Sequence, residues 1–148
     1  MKVAQALASV ATLALDTAPL IYYLELNTTY LPRLDIVFNE IGQGHIQVYT
    51  ASITLTEVLT KPIREGNQQL QTSYRNLLTS TNNIALISIN PTIAERAAEL
   101  RARYNLKTPD ALQIAVALYQ QCDAFLTNDL GLKRVTEVQV LVLDELEL

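Results

Sequence analysis

The chain is predicted to be an α/β protein of three α/β/α layers, with a central, mostly parallel sheet of about five strands. Three observations point there. Short β-favouring apolar runs recur along the sequence, helical patterns lie between most of them, and the connections are short. Strands that alternate with helices in this way pair in parallel, with helices covering both faces of the sheet.

The first run, Ala11 to Leu15, stops at Asp16. Pro19 then opens a helical stretch through Ile21, Tyr22, Leu24 and Leu26. Gly42 and Gly44 mark a helix end or loop before the second run, Ile46 to Thr50. Thr54-Leu55-Thr56-Glu57 has the spacing of a capping box, and Pro62 is expected to kink or end the helix that follows. Gly66 marks the next break, and the third run is Ile84 to Ile89. Asn90-Pro91 is a cap followed by proline at the first helical position, a device that Thr108-Pro109 repeats. After it, Ala111, Leu112, Ile114, Ala115, Ala117 and Leu118 are apolar at helical spacing and should pack on the sheet. The last two runs are Ala124 to Thr127 and Val138 to Leu143.

A length of 148 residues suits one domain over residues 1–148, with a core large enough to need no covalent staples. A hydrophobic fraction of 49% leaves apolar surface for a partner or a second copy, so oligomerisation is expected. One cysteine, Cys122, cannot form an internal disulfide, which favours a reducing, cytoplasmic setting. Lys2 followed by Val3 to Leu15 imitates a signal peptide, but its removal would delete the first strand and Asp16. Asp16 and Glu25 interrupt the best candidate for a membrane span, so no membrane partner is expected.

Four acids stand where strands end or helices begin. Asp16 could cap the next helix, with Thr17 as an alternative cap. Glu57 could complete the capping box or pair with Lys61 one turn on. Asp110 lies in a first helical turn, where the macrodipole favours any carboxylate, and Asn128-Asp129 is ordinary turn chemistry. Each has an innocent reading. Jointly they converge, because strand ends and helix starts of a parallel α/β protein open onto one edge of the sheet. Crowded carboxylates raise one another's pKa unless a cation holds them. Oxygen donors without a supporting histidine or thiol favour Mg²⁺ or Mn²⁺ over zinc. His45 reads as a loop residue and Cys122 as a core or helix-end residue.

Leu15-Asp16-Thr17, Ile21-Tyr22-Tyr23-Leu24-Glu25, Thr54-Leu55-Thr56-Glu57-Val58, Thr108-Pro109-Asp110-Ala111 and Phe125-Leu126-Thr127-Asn128-Asp129 resemble, in order, the motifs of the PIN-domain family, in particular its VapC-type toxins. The resemblance spans all but the first ten or so residues. It implies a PIN-like nuclease domain in which Asp16, Glu57, Asp110 and Asp129 bind Mg²⁺ or Mn²⁺ beside an RNA phosphate. Thr127 matches the family's hydroxyl beside the last acid and would position water or an acid; Asn128 is a lesser auxiliary. The implied activity is metal-dependent hydrolysis of RNA phosphodiester bonds, as the toxin of a type II toxin-antitoxin pair. The implied partners are a cognate antitoxin, basic or amphipathic to suit this chain, and a second copy of the chain in a homodimer.

A formal net charge of -4 is awkward for RNA binding, since phosphates favour basic surfaces, unless bound cations reset the local field. Lys61, Arg64, Arg101, Arg103, Lys107, Lys133 and Arg134 are the cations available for phosphate contact. Two rival readings stand beside the nuclease. One is a non-catalytic PIN-like module that binds RNA or protein. The other is a phosphoacceptor signalling domain, but Asp16 lacks the adjacent acid and Lys107 is separated from Pro109, against the spacing that chemistry uses.

Overall fold

All five predicted strands form within two residues of their expected bounds in the computed structural model, which describes residues 1–148. They are β1 (Thr12–Leu15), β2 (Gln47–Ala51), β3 (Ile84–Ile87), β4 (Ala124–Thr127) and β5 (Gln139–Val142). The sheet order is β3-β2-β1-β4-β5 and every pairing is parallel, so the expectation of a mostly parallel sheet becomes an all-parallel one. Seven helices join the strands: α1 (Val3–Leu7), α2 (Thr17–Leu24), α3 (Leu31–Gly42), α4 (Ile53–Arg64), α5 (Gln68–Ser80), α6 (Pro91–Tyr104) and α7 (Thr108–Tyr119).

Alternation within the strands sends side chains into two cores. Leu13, Leu15, Val48 and Leu126 pack with α1 to α5 on one face. Ala14, Ala51 and Phe125 pack with α6 and α7 on the other. Both faces are covered, which is why β1 and β4 read as continuous apolar runs and not as alternating ones.

Several boundaries differ from the sequence reading for local reasons. The capping box at Glu57 does not form: α4 begins at Ile53 with Ser52 as its N-cap residue, because Ser52 N–H still donates to Ile87 of β3 at 2.8 Å. Thr54 is therefore inside the helix and fully buried. Pro62 lies in the last turn of α4 without ending it, and Lys61 makes no ion pair with Glu57. The second Pro device is shifted by one residue: Lys107 is the N-cap position and Thr108 is the first residue of α7. Asn90 caps α6 as expected, accepting from Ile93 N–H at 2.8 Å.

Residues 1–10, whose role the sequence left open, form α1 and bury Val3, Ala6, Leu7 and Val10 in the first core. A parallel bridge between Lys2 and Glu147 ties this segment to the last residues of the chain. His45 is the loop residue expected, paired with Glu40 at 2.7 Å. Cys122 is half-buried just past α7, and burial pushes its thiol pKa up to about 12, so it is a poor nucleophile.

Asp123 anchors the start of β1. Its carboxylate accepts from Ala11 N–H at 2.8 Å, Thr12 N–H at 3.0 Å and the Thr12 hydroxyl at 3.2 Å. These bonds, the backbone ones foremost, hold its pKa below the ordinary carboxylate value. A depressed folded-state pKa contributes stability that is complete above the unfolded value, about 3.9, and is lost as pH falls through the folded one. Asp123→Asn is expected to lose about 0.5–1 kcal/mol at pH 7, discounted for exposure, and less near pH 3. Urea melts of both proteins at the two pH values check this.

Candidate functional site

The strand order reverses at β1, with β2 and β3 on one side and β4 and β5 on the other. Connections leaving the C-terminal ends of β1 and β4 therefore diverge, which opens a crevice at that switch point. Asp16 directly follows β1, and Thr127 is the last residue of β4 with Asp129 two positions on. The backbones meet there, with Asp16 N–H donating to Leu126 C=O at 2.9 Å. Glu57 approaches from α4, which follows β2, and Asp110 from the first turn of α7.

Asp16 has the capping role considered for it, since it is the N-cap residue of α2 and its Oδ1 accepts from Thr17 N–H at 2.8 Å. Its other oxygen, Oδ2, accepts from the Thr127 hydroxyl at 2.7 Å. Thr127 is completely buried and its Oγ1 also accepts from Asp129 N–H at 3.1 Å, so one hydroxyl ties the first acid to the last. Asp129 in turn caps a 3-10 turn, Leu130–Arg134, through Gly131 N–H at 2.9 Å. A Cβ at Gly131 would stand 3.1 Å from Asp129 Oδ1 and 3.2 Å from Arg134, so the glycine keeps that carboxylate in place. Glu57 accepts from the Thr17 hydroxyl at 2.8 Å.

The electrostatics show that the four acids share one field. Burial pushes the Asp16 pKa up, the hydrogen bonds from Thr127 and Thr17 oppose that rise, and the charges of Glu57 and Asp129 add to it. Asp110 is raised first by burial and then by Asp16 and Asp129, with Lys107 and Arg134 partly compensating. No hydrogen bond stabilises the Asp110 carboxylate. Two half-buried acids thus face like charge with little relief, a state that a divalent cation would reverse.

The donor chemistry fits such an ion, since all the groups are carboxylate or hydroxyl oxygens, the ligands of Mg²⁺ and Mn²⁺. As the side chains stand, no three of them already converge on one point at ligand distance.

Asn128 is engaged elsewhere, accepting from Asp144 N–H at 2.9 Å. Of the seven cations considered, Lys107 and Arg134 are close enough to act on Asp110. Arg103 and Lys133 pair with Glu137 and Glu145, and Arg101 donates to Leu106 C=O at 3.0 Å. The sequence reading passed over Thr50 and Gln113, which lie buried beneath the acids with Thr17 and Thr54. Gln113 did carry a signal: it is the only strongly polar residue in the apolar run Ala111 to Leu118.

Comparison with known proteins gives one family and a consistent set of folds. The model of the PIN domain matches residues 13–138, most of the chain and every residue of the site. No curated protein matches by sequence. Among solved structures, VapBC2 from Rickettsia felis bound to a promoter DNA fragment is similar with a TM-score of 0.72 and 15% identity, over 88% of this chain and 98% of that one. FitAcB from Neisseria gonorrhoeae follows at 0.69 and 17%, covering 90% and 99%. A toxin-antitoxin complex from Klebsiella pneumoniae follows at 0.67 and 22%, covering 88% and 96%. At these identities the likeness is one of fold.

Proposed function

The chain belongs to the PIN-domain family, and from that premise we propose that it is a Mg²⁺- or Mn²⁺-dependent endoribonuclease, the toxin of a type II toxin-antitoxin pair. The observation that carries this reading is the pair of half-buried acids, Asp16 and Asp110, each raised in pKa by burial and further by neighbouring carboxylates, with no ion pair to either. A structural role would not gather like charges at the switch point of the sheet.

Asp16, Asp110, Asp129 and Glu57 are the residues that would hold the metal. When bound, a divalent ion lowers the pKa of an attacking water and stabilises charge on the scissile phosphate and its leaving oxygen. Thr127 fixes the rotamer of Asp16, and Thr17 that of Glu57, so that two of the four acids are set before substrate arrives. Lys107 and Arg134 border the same edge and are the cations best placed to contact RNA phosphates on either side of the cut.

A cytoplasmic protein, a homodimer and a cognate antitoxin complete the proposal. No helix is long and apolar enough to cross a membrane. The Klebsiella pneumoniae neighbour is described as a toxin-antitoxin complex, and a chain of net charge -4 suits a basic or amphipathic partner segment. Co-purification of the neighbouring gene's product is the expected result, and growth unaffected by expression of this chain alone counts against a toxin.

The deciding assay incubates purified protein with structured RNA, with and without Mn²⁺. Cleavage only with the ion is expected. RNA that is bound yet stays intact with Mn²⁺ present identifies a non-catalytic binding module instead.

A further inference from the structure

Five polar residues are buried in this protein, Thr17, Thr50, Thr54, Gln113 and Thr127, and all five lie beneath the acidic edge. Four of them form one hydrogen-bonded web with Gln113 of α7 at its centre. Burying so many polar groups is unfavourable unless each is paired, and every buried side-chain polar atom here has a partner.

The direction of each bond follows from the available protons. Ala51 N–H can only donate, so the Gln113 oxygen that meets it at 3.1 Å is the acceptor and the amide nitrogen faces the opposite way. That nitrogen lies 2.5 Å from Thr54 Oγ1 and 3.3 Å from Thr17 Oγ1. The single Thr50 proton goes to Leu15 C=O at 3.0 Å, so Thr54, 3.1 Å away, donates to Thr50. The single Thr17 proton goes to Glu57 Oε1 at 2.8 Å. Two arms therefore leave one amide. The first runs through the Thr17 hydroxyl to the Glu57 carboxylate. The second runs through Thr54 and Thr50 to the carbonyl of Leu15, the residue before Asp16.

We propose that Gln113 is a positioning residue for the metal-binding acids: its amide N–H donates to the Thr17 oxygen and so orients the Thr17 proton toward Glu57, holding that carboxylate beside Asp16. The proposal rests on the metal-binding reading of the site given above. Gln113 touches no substrate and acts through Thr17. Without its N–H, the Thr17 proton is free to turn to Thr54 Oγ1, 3.2 Å away, and the exposed Glu57 loses its anchor.

Mn²⁺ titration by calorimetry tests this without any RNA, on wild type, Gln113→Met, Thr17→Val, the double variant and Thr17→Ser. Gln113→Met and Thr17→Val should each weaken Mn²⁺ binding about tenfold, as loss of a group supporting a ligand does. The double variant should be no weaker than either single one, because both break the same arm. Thr17→Ser, which keeps the hydroxyl, should bind like wild type. A residue that served folding alone would lower the melting temperature and leave the affinity of the folded protein unchanged. Should Gln113→Met not fold, Gln113→Asn keeps a buried amide but withdraws it from Thr17, with the same expectation. Unchanged affinity in the Gln113 variant, or effects that multiply in the double variant, overturn the proposal while leaving the metal site standing. Wild type that binds no Mn²⁺ overturns the metal reading itself, and this inference with it.

Discussion

Asp16→Asn and Asp110→Asn are each expected to lower the rate of Mn²⁺-dependent RNA cleavage by at least about 10²–10³-fold, the scale set by loss of one charge-stabilising group at a reacting centre. Both substitutions keep shape and remove charge. At Asp16 the amide oxygen can still accept from Thr17 N–H, and the amide nitrogen can donate to Thr127 Oγ1, so the local cap survives. At Asp110 no hydrogen bond to the carboxylate is lost, because none stabilises it. Neither variant should therefore unfold, and a lost rate reports on the site and not on the fold. Single-turnover cleavage with saturating Mn²⁺ is the measurement. Wild-type rates in both variants would sink the proposed mechanism. Glu57→Gln belongs in the same series: with α4 starting at Ile53, Glu57 has no capping work to do, and its one side-chain hydrogen bond is to Thr17.

The strands and the acids were legible because both are written locally. A buried parallel strand must be apolar on both faces, so Ala124 to Thr127 could be delimited to the residue. An acid at a strand end is conspicuous because nothing about a strand requires it, as with Asp16 after Leu15. Helix starts were less legible where two signals compete. Thr108-Pro109 offers both a cap and a first-turn proline, and the chain uses Lys107 as the cap position so that Pro109 falls one place further in. At Thr54 a capping pattern was present but sheet pairing continued to Ser52, and tertiary contacts took the threonine hydroxyl for Gln113 and Thr50. The buried web was illegible for the same reason. Thr50, Thr54 and Gln113 are separated by up to 63 positions, and only the fold shows that one amide serves two threonines and the Ala51 N–H. Helix α1 was missed because five residues give too short a pattern, and its burial depends on α3 and on the pairing of Lys2 with Glu147.

The rank order of stability between wild type and the Asp16→Asn and Asp110→Asn variants is expected to invert with Mn²⁺. In chelator both acids stand in surroundings that disfavour the charged form, since burial and the neighbouring carboxylates raise both pKa values. Removing either charge relieves that repulsion, so each variant should melt at or above the wild-type temperature, the usual relation between a strained functional site and the stability around it. Mn²⁺ changes the balance by binding the folded state alone. At an ion concentration 100 times the dissociation constant the gain is about 2.7 kcal/mol. For a chain of this length that corresponds to a rise of about 5–10 °C in melting temperature. The wild type should show the rise and the variants little of it, so the melting curves cross. Calorimetric scans in chelator and in Mn²⁺ would show this directly. A wild type more stable than both variants in chelator, and indifferent to Mn²⁺, would mean that the acids serve the fold through their bonds to Thr17 and Thr127 and that no cation belongs between them.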